Sequence, residues 1–399
     1  MADQATAIYL EPQGLFMRVR YRIDGVLHQK TALPPNLGLP MLSRIKQFCG
    51  LDAENSSRPQ HQRVRAQFNA TAFELSLATY PSVWGESLAL NIKYTRDAAL
   101  PLKLDELGLS PLYLRRLNRL LGHPGGLLIV TGPARAGKST TLYAACQALN
   151  LLSQLIVSAE NPVEQRLPGV LQGNWTPEAG DSFAQLIQSM GEMNPEVMMV
   201  SGLDTPEAVK ACVELALSGA KVMGAYQSFD TMGALQRLVP QGLEAYLIAA
   251  GQTAILSQRL VRRLCDLCKQ PEIPSRESLN ALGLRAVEPD AYTLWRAVGC
   301  GACSQGYSGQ LAIHELLVAT ETLREAILAR RGSAALRQLA RSQARLISMV
   351  EDGYFKATQG LTSLAELQRV AFVNEYDADS PLQAEQVVSI CLGEDPAFA

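Results

Sequence analysis

Residues 127–140 of this 399-residue chain read LLIVTGPARAGKST, and this stretch decides the fold. An apolar strand-like run leads into the pattern Gly-x-x-x-x-Gly-Lys-Ser, and a helix-like segment follows at once. Such a loop turns its backbone N–H groups and a helix N-terminus toward phosphate oxygens, while the lysine adds positive charge and the serine a Mg²⁺ ligand. The stretch predicts an ATP and Mg²⁺ site; the alternative is a chance glycine-rich turn. The predicted nucleotide-binding residues are Gly132, Pro133, Ala134, Arg135, Ala136, Gly137, Lys138, Ser139 and Thr140.

The segments around this loop alternate between strand and helix patterns, which favours a mostly parallel α/β sheet. Buried-strand runs occur at 127–131, 155–159, 197–201 and 221–225. The first hundred residues show short alternating runs instead, one of them ending in Asp24-Gly25, and predict a small separate α/β domain. We therefore expect an N-terminal domain at 1–100, a linker at 101–109, a nucleotide-binding core at 110–260, a metal-binding subdomain at 261–312 and a helical region at 313–399.

Charge and hydropathy exclude several classes of protein. Lys and Arg total 36 against 38 for Asp and Glu, so the net charge of −2 gives no global basic field for nucleic acid. The chain shows neither a signal-peptide pattern at its start nor a run of about 18 apolar residues that could span a bilayer. We expect a cytoplasmic protein without nucleic-acid partners.

Four of the eight cysteines form two Cys-x-x-Cys pairs, Cys265 with Cys268 and Cys300 with Cys303. Two such pairs can place four thiolates on one tetrahedral ion, which predicts a structural zinc site with no open coordination position. The alternatives are four free thiols or a redox pair, and neither pair opens a helix after a strand as a redox motif does.

Further stretches extend the pattern over nearly the whole chain. They read MRVRYRIDGVL, SAENPVEQRLPGVLQ, NPEVMMV, SQRLVRRLC, GYSGQLAIHELL and VEDGYFKATQGLTSLAELQRV. With the phosphate loop and the cysteine pairs, they resemble the secretion ATPases that drive type II secretion and type IV pilus extension. Retraction ATPases of the same superfamily lack the four-cysteine insertion, so the resemblance is to an extension or secretion motor.

This resemblance implies a fold, cofactors and partners. The fold is a RecA-like P-loop ATPase domain with a small PAS-like α+β domain before it, a four-cysteine zinc subdomain and a helical C-terminal part. The cofactors are ATP, Mg²⁺ and structural Zn²⁺. Subunits form a homo- or hetero-hexamer at the cytoplasmic face of the inner membrane, on a platform protein. The chain opens almost directly on the family's second N-terminal domain, so contacts made by a further N-terminal domain are expected to be absent.

The chain departs from its family at the positions of catalysis. Where the family ends a strand with Gly-Glu-Ile-Arg-Asp, this chain has Ser-Gly-Leu-Asp-Thr, so Gly202 replaces the glutamate that polarises the attacking water. Gln227 replaces the histidine of a second motif and cannot titrate. In the acidic motif Glu160 and Glu164 remain as candidate catalytic residues, with Glu164 the weaker one, but Asn161 replaces an aspartate. Asp204 is expected to point away from the site.

Arginines that reach the neighbouring subunit's nucleotide are also partly lost. Arg63 stands at a matching position and is the inter-subunit candidate, whereas the family's other arginine positions hold Ser76, Ser87 and Asn91. A strand also carries three arginines that are either such fingers or a solvated face: Arg18, Arg20 and Arg22. In the phosphate loop, Arg135 replaces a family glycine and either contacts phosphate or points to solvent.

Two functions follow from this pattern. The first is a degenerate paralogue that binds ATP, hydrolyses it slowly or not at all, and works as a structural or regulatory partner of an active motor. The second is a motor ATPase that uses displaced residues such as Glu160 or Asp204 to power pilus extension or secretion. An unrelated nucleotide-dependent scaffold is the third possibility.

Overall fold

The computed structural model describes residues 5–68, 71–94, 102–176, 180, 182–249, 251–371, 373–374, 377 and 381–394. Residues 1–99 and 100–399 form two compact units. The elements of the first unit are β1 (Ala7–Pro12), β2 (Met17–Ile23), β3 (Val26–Leu33), α1 (Pro35–Phe48), β4 (His61–Phe68), β5 (Thr71–Ser82) and β6 (Gly85–Tyr94).

The first unit is a six-stranded antiparallel sheet in the order β3-β2-β1-β6-β5-β4. The predicted turn between β2 and β3 is present: Asp24 and Gly25 both have positive φ, 47° and 82°, as a tight two-residue hairpin requires. Helix α1 starts with Pro35, whose missing N–H costs nothing in a first helical turn. Alternate residues of β1, β2 and β5 pack with Leu42 of α1 into one apolar core.

A buried ion pair connects α1 to the sheet of this unit. Lys46 is fully buried, and its Nζ lies 2.7 Å from Oε2 of Glu86 at the start of β6. The same ammonium donates to the Asn55 carbonyl at 2.8 Å. Because the pair is removed from water, each charge depends on the other for its solvation.

The second unit is built on a seven-stranded sheet, in the order β15-β12-β7-β11-β10-β8-β9. Among the described strands of this sheet, only the pairing of β12 with β15 is antiparallel. The strands of this unit are β7 (Gly126–Thr131), β8 (Ile156–Glu160), β9 (Val170–Asn174), β10 (Val197–Val200), β11 (Lys221–Tyr226), β12 (Thr253–Leu264), β13 (Gln270–Glu272), β14 (Leu294–Arg296) and β15 (Tyr307–Val318).

Helices cover both faces of this sheet. The helices of this unit are α2 (Pro111–Gly122), α3 (Lys138–Leu149), α4 (Phe183–Gly191), α5 (Pro206–Leu217), α6 (Thr231–Leu238), α7 (Leu243–Ile248), α8 (Arg276–Ala281), α9 (Glu321–Leu328), α10 (Ser333–Ala344), α11 (Met349–Thr358), α12 (Leu364–Val370) and α13 (Ala384–Leu392). Every residue of β7 is buried, with Leu128 and Val130 in one core and Leu127 and Ile129 in the other. This burial on two faces explains the continuous apolar run in the sequence.

All four strand runs expected from the sequence are strands of this sheet, and the expected α/β fold with a mostly parallel sheet is confirmed. The subdomain boundaries expected at 261 and 312 fall inside β12 and β15, two strands that pair along most of their length. The expected linker contains a short 3₁₀ helix, Leu104–Leu107, whose leucines are buried in the core of the second unit. No helix among the described residues is long and apolar enough to cross a membrane.

Substituting Lys46 tests the buried ion pair. We expect Lys46→Met to lower the free energy of unfolding of the first unit by about 3–5 kcal/mol, because the buried Glu86 carboxylate then lacks a counter-charge. Hydrogen exchange in β5 and β6 during a urea titration reports this unit alone. Arg44→Met, on the exposed face of α1, is the matched control. Equal losses in the two variants would contradict a special role for the pair.

Candidate functional site

The phosphate loop joins β7 to α3, at the carboxyl edge of the sheet. Gly132 has φ 151°, and a Cβ there would lie 2.4 Å from the Gln258 carbonyl oxygen, so only glycine fits. Gly137 has φ 86° at the N-cap of α3. Arg135 also adopts positive φ, 64°, which accounts for the glycine that the family carries there. The Arg135 side chain is exposed.

Lys138 is half-buried at the first position of α3. Its Nζ donates to the carbonyl oxygens of Gly132 and Pro133, each at 2.9 Å. Burial lowers the pKa of the Lys138 ammonium, and the Asp204 carboxylate acts in the opposite direction. The ammonium is therefore held inside the loop, facing the space that its own backbone encloses.

Gln258 on β12 supports the phosphate loop through hydrogen bonds. The sequence analysis did not single out this residue. The side chain is buried; its amide donates to the Ala136 carbonyl at 2.8 Å, and its carbonyl accepts from Thr141 Oγ1 at 2.8 Å. Because β12 runs parallel to β7 with Ser257 opposite Thr131, Gln258 lies beside Gly132. A glutamine directly after the apolar run of residues 254–256 was the available signal.

The other predicted positions lie at the same edge of the sheet. Glu160 ends β8, Gly202 follows β10 and Gln227 follows β11, and these strands all run parallel to β7. Side chains at the carboxyl ends of parallel strands converge on one crevice, which is where α/β sheets bind ligands. A cleft of about 480 Å³ opens there; its lining includes Pro133, Asp204, Gln227 and Arg237.

Glu160 belongs to a buried hydrogen-bond network. Its carboxylate is fully buried and accepts hydrogen bonds from Ser158 Oγ at 2.6 Å, from Gln172 Nε2 at 2.8 Å and from the Tyr143 hydroxyl. Burial and the bond to Glu160 raise the pKa of Tyr143. The Tyr143 hydroxyl also accepts the backbone N–H of Glu164, at 3.0 Å, whereas the Glu164 residue itself is exposed.

Asp204 lies against Gly202, not away from it as the sequence suggested. A Cβ at Gly202 would be 2.8 Å from Asp204 Oδ2, so this carboxylate occupies the space beside the bare glycine. Asp204 is exposed to the cleft and close enough to Lys138 to influence its pKa. The carboxylate turns back because the missing Cβ leaves room for it.

Gln227 is exposed in the cleft, and its backbone carbonyl accepts from Arg237 Nη1 at 3.2 Å. The Arg237 guanidinium also stacks over the Tyr226 ring, 5.3 Å from its centroid. A cation not singled out by the sequence analysis therefore lines the cleft beside Gln227. Its guanidinium can donate hydrogen bonds to an anion there.

In the first unit, three of the family's arginine positions form one cross-strand row. Arg63 on β4 is opposite Ser76 on β5, which is opposite Asn91 on β6. Directly opposed residues point to the same face, so the replacements at 76 and 91 leave Arg63 as the cation among these three positions.

The three arginines of β2 have partners within the same unit. Arg18 and Arg20 both pair with Glu11 on β1. Arg22 donates to the Tyr9 hydroxyl at 3.3 Å and to the Gly25 carbonyl at 2.9 Å. The alternating arginines of β2 are therefore explained by contacts along one face of the strand.

The four cysteines meet where β12 and β15 come together. Leu264 is opposite Tyr307 in that antiparallel pair, so the Cys265 pair that follows β12 lies beside the Cys300 pair that precedes β15. The four Sγ atoms all lie within 4.8 Å of one another, with Cys265 to Cys300 at 3.9 Å and Cys268 to Cys303 at 3.8 Å. A tetrahedral ion with zinc–sulfur bonds of about 2.3 Å needs sulfurs about 3.8 Å apart. The donor set fits one such ion.

A sheet of this topology, with a Gly-x-x-x-x-Gly-Lys-Ser loop between a central strand and a helix, defines a P-loop nucleotide-binding protein. The family described as Type II/IV secretion system protein matches residues 1–369, and the chain belongs to this family. It is 34% identical over 366 residues to "Type IV pilus assembly ATPase PilB" of Thermus thermophilus, covering 92% of this chain but 41% of that protein. It is likewise 34% identical to "Type II secretion system ATPase E" of Vibrio cholerae, covering 92% of this chain and 72% of that protein.

Solved structures show the same fold. The Legionella pneumophila ATPase DotB aligns with a TM-score of 0.62 and 16% identity, covering 92% of this chain and 91% of its own. The pilus retraction motor PilT with bound ADP aligns with a TM-score of 0.57 and 20% identity, covering 91% and 92% of the two chains.

Removing the Gln258 side chain tests whether it supports the loop. We expect Gln258→Ala to lower the free energy of unfolding by about 1–3 kcal/mol for each buried group left unpaired, Thr141 Oγ1 and the Ala136 carbonyl. Because the loop loses its support, ATP binding should weaken by about tenfold. Thermal unfolding and ATP titration measure the two effects. Gln338→Ala, on an exposed position of α10, should change neither, and unchanged ATP affinity in Gln258→Ala would contradict the proposed support.

Proposed function

We propose that this chain is an ATP-binding member of the secretion ATPase family that hydrolyses ATP slowly or not at all. In this proposal it acts as a structural or regulatory partner of an active motor in a type IV pilus or type II secretion system. The observation that carries the proposal is the glycine at position 202. This residue lies two positions after the end of β10, at the edge of the sheet that carries the phosphate loop, and it has no side chain to accept a proton or orient water. The loop itself keeps its glycines, Lys138 and Ser139.

The neighbouring groups support the same conclusion. Glu160 already accepts three hydrogen bonds in a buried network, which favours a structural role for its carboxylate over a role in orienting water. Gln227 can donate or accept a hydrogen bond but cannot carry a proton through a reaction. Losing an arginine finger alone costs about 10³ to 10⁵ in turnover in this class of chemistry.

The proposed setting follows from the family. We propose that the chain joins a homo- or hetero-hexamer with secretion or pilus ATPase subunits and that Arg63 faces the neighbouring subunit's nucleotide. Contact with the membrane would be indirect, through an inner-membrane platform protein on the cytoplasmic side. The relatives carry names of pilus assembly and type II secretion ATPases, which supports both systems equally.

We also propose that the four cysteines hold one structural Zn²⁺. When bound, the ion would join the ends of β12 and β15 and close the segment between them. All four coordination positions would be filled by sulfur, so the ion would take no part in nucleotide chemistry.

A second candidate function is a genuine motor ATPase, and Asp204 is the observation that favours it. Its carboxylate lies in the space beside Gly202 and near Lys138, where the family's glutamate side chain would extend. In this alternative Asp204 orients the attacking water, and Asp204→Asn abolishes hydrolysis without weakening ATP binding.

Phosphate release by the purified chain tests the main proposal. We expect ATP to bind, with turnover no higher than in Lys138→Ala, because the loop is intact and the water-positioning carboxylate is absent. Gly202→Glu with Gln227→His should raise turnover, since Gly202 has no left-handed φ and a Cβ there meets only the movable Asp204 carboxylate. Robust turnover by the unmodified chain that Lys138→Ala abolishes would overturn the proposal, and loss of that turnover in Asp204→Asn would establish the alternative.

Zinc content tests the cysteine site. We expect about one zinc ion per purified chain, and almost none in Cys268→Ser with Cys300→Ser, because two remaining thiolates cannot close the coordination sphere. Elemental analysis measures the ratio, and thermal unfolding should show a loss of stability on chelation. Cys212→Ala changes a solitary buried cysteine and should keep the metal. Equal zinc in the double variant and in Cys212→Ala would contradict the assignment.

A further inference from the structure

A second cleft, of about 270 Å³, lies at the edge of the sheet opposite to the phosphate loop. His123 precedes β7, Val318 is the last residue of β15 and Thr320 follows it, whereas the phosphate loop follows the other end of β7. Because β7 has 6 residues, the two edges are about 20 Å apart. The second cleft is therefore separate from the nucleotide site.

Helix α2 lines this cleft with three arginines, Arg115, Arg116 and Arg119, and no acidic residue lies among the described lining residues. Their hydrogen bonds go to neutral carbonyls: Arg115 Nη2 donates to Leu392 at 3.2 Å, and Arg116 Nη1 donates to Ala344 at 2.6 Å. Within the described part of the chain none of the three forms an ion pair. Each guanidinium has five N–H donors, so most of their donor capacity remains for a ligand.

The electrostatics of the cleft favour an anion. Burial lowers the pKa of Arg116 and is the largest effect on it. Tyr113 acts in the opposite direction, and the positive charge of Arg119 lowers the pKa further. Arg119 also lies in the last turn of α2, where the helix dipole favours a cation, which explains one arginine but not three around one cavity. Two adjacent guanidinium groups without a counter-charge are stabilised by a ligand that brings two negative charges.

Part of the cleft lining is apolar, so the ligand should carry its negative charge in a small volume. Leu112, Leu120, Val318 and Ala344 contribute apolar surface beside the arginines. Arginine forks match phosphate oxygens in pairs, and a phosphoryl dianion supplies the required charge in a small volume.

We propose that this cleft is a second anion site, which binds a phosphoryl-bearing small ligand through Arg116 and Arg119. The phosphoryl group comes either from a free phosphate ester or diphosphate, or from the headgroup of an anionic phospholipid. The site does not depend on whether the chain hydrolyses ATP, because it is built from α2 and from strand ends remote from the phosphate loop.

Pyrophosphate binding to the full chain tests the site. Lys138→Ala is introduced first, so that the phosphate loop contributes little to the calorimetric signal. We expect pyrophosphate to bind this variant and to bind about tenfold or more weakly after Arg116→Gln and Arg119→Gln are added, because charge-assisted hydrogen bonds are lost. Arg330→Gln with Arg331→Gln, an exposed pair on the same unit, is the charge-matched control and should bind as before.

Two further measurements keep the test decisive. Arg119 is exposed, so Arg119→Glu should leave the fold intact while removing pyrophosphate binding by charge reversal. Flotation with phosphatidylglycerol vesicles, against phosphatidylcholine vesicles, separates the sources: binding that needs Arg116 and Arg119 assigns a lipid headgroup, and pyrophosphate binding alone assigns a free ligand. Identical pyrophosphate affinity in all variants, or binding of neither probe, would overturn the proposal.

Discussion

The pairing of β12 with β7 on one side and with β15 on the other is the constraint on which the second unit depends. Through its parallel pairing with β7, β12 places Gln258 under the phosphate loop, where it binds the Ala136 carbonyl and the Thr141 hydroxyl. Through its antiparallel pairing with β15, it brings the two cysteine pairs together. One strand thus fixes the nucleotide loop at its middle and the cysteine cluster at its end.

The same pairing extends to the C-terminal helices through buried charges. Glu315 on β15 accepts the backbone N–H of Thr231, at the start of α6, at 3.1 Å, and pairs with Arg337 on α10 at 2.8 Å. Arg337 also pairs with Asp377 at 2.6 Å. Burial alone would raise the pKa of Glu315, but Arg337 reverses the shift, so the carboxylate stays charged and the contacts stay strong. Helix α6 follows Gln227 in the chain, so these buried charges also stabilise the side of the nucleotide cleft that Gln227 lines.

The sequence was most informative where structure is local. The strand, turn and helix around the phosphate loop could be predicted because Gly132 and Gly137 meet a backbone requirement within a few residues, and the Asp24-Gly25 hairpin for the same reason. The strands β12 and β15 were missed as members of the main sheet because their pairing is long-range. Buried polar residues such as Gln258 and Glu315 interrupt the apolar pattern by which a buried strand is predicted, and their hydrogen-bond partners lie on distant elements.

The position of Asp204 could not be predicted because it depends on what position 202 lacks. A glutamate at 202 and a carboxylate at 204 compete for one volume, since a Cβ at Gly202 already lies 2.8 Å from Asp204 Oδ2. The conformation of the Asp204 side chain therefore depends on the glycine at 202. Together the two residues keep one negative charge near Lys138, but on a shorter side chain that reaches the site from a different backbone position. Holding a polyphosphate depends on charge and backbone donors, whereas activating water depends on exact placement of a carboxylate. A glycine at 202 with an aspartate at 204 therefore preserves polyphosphate binding more fully than water activation.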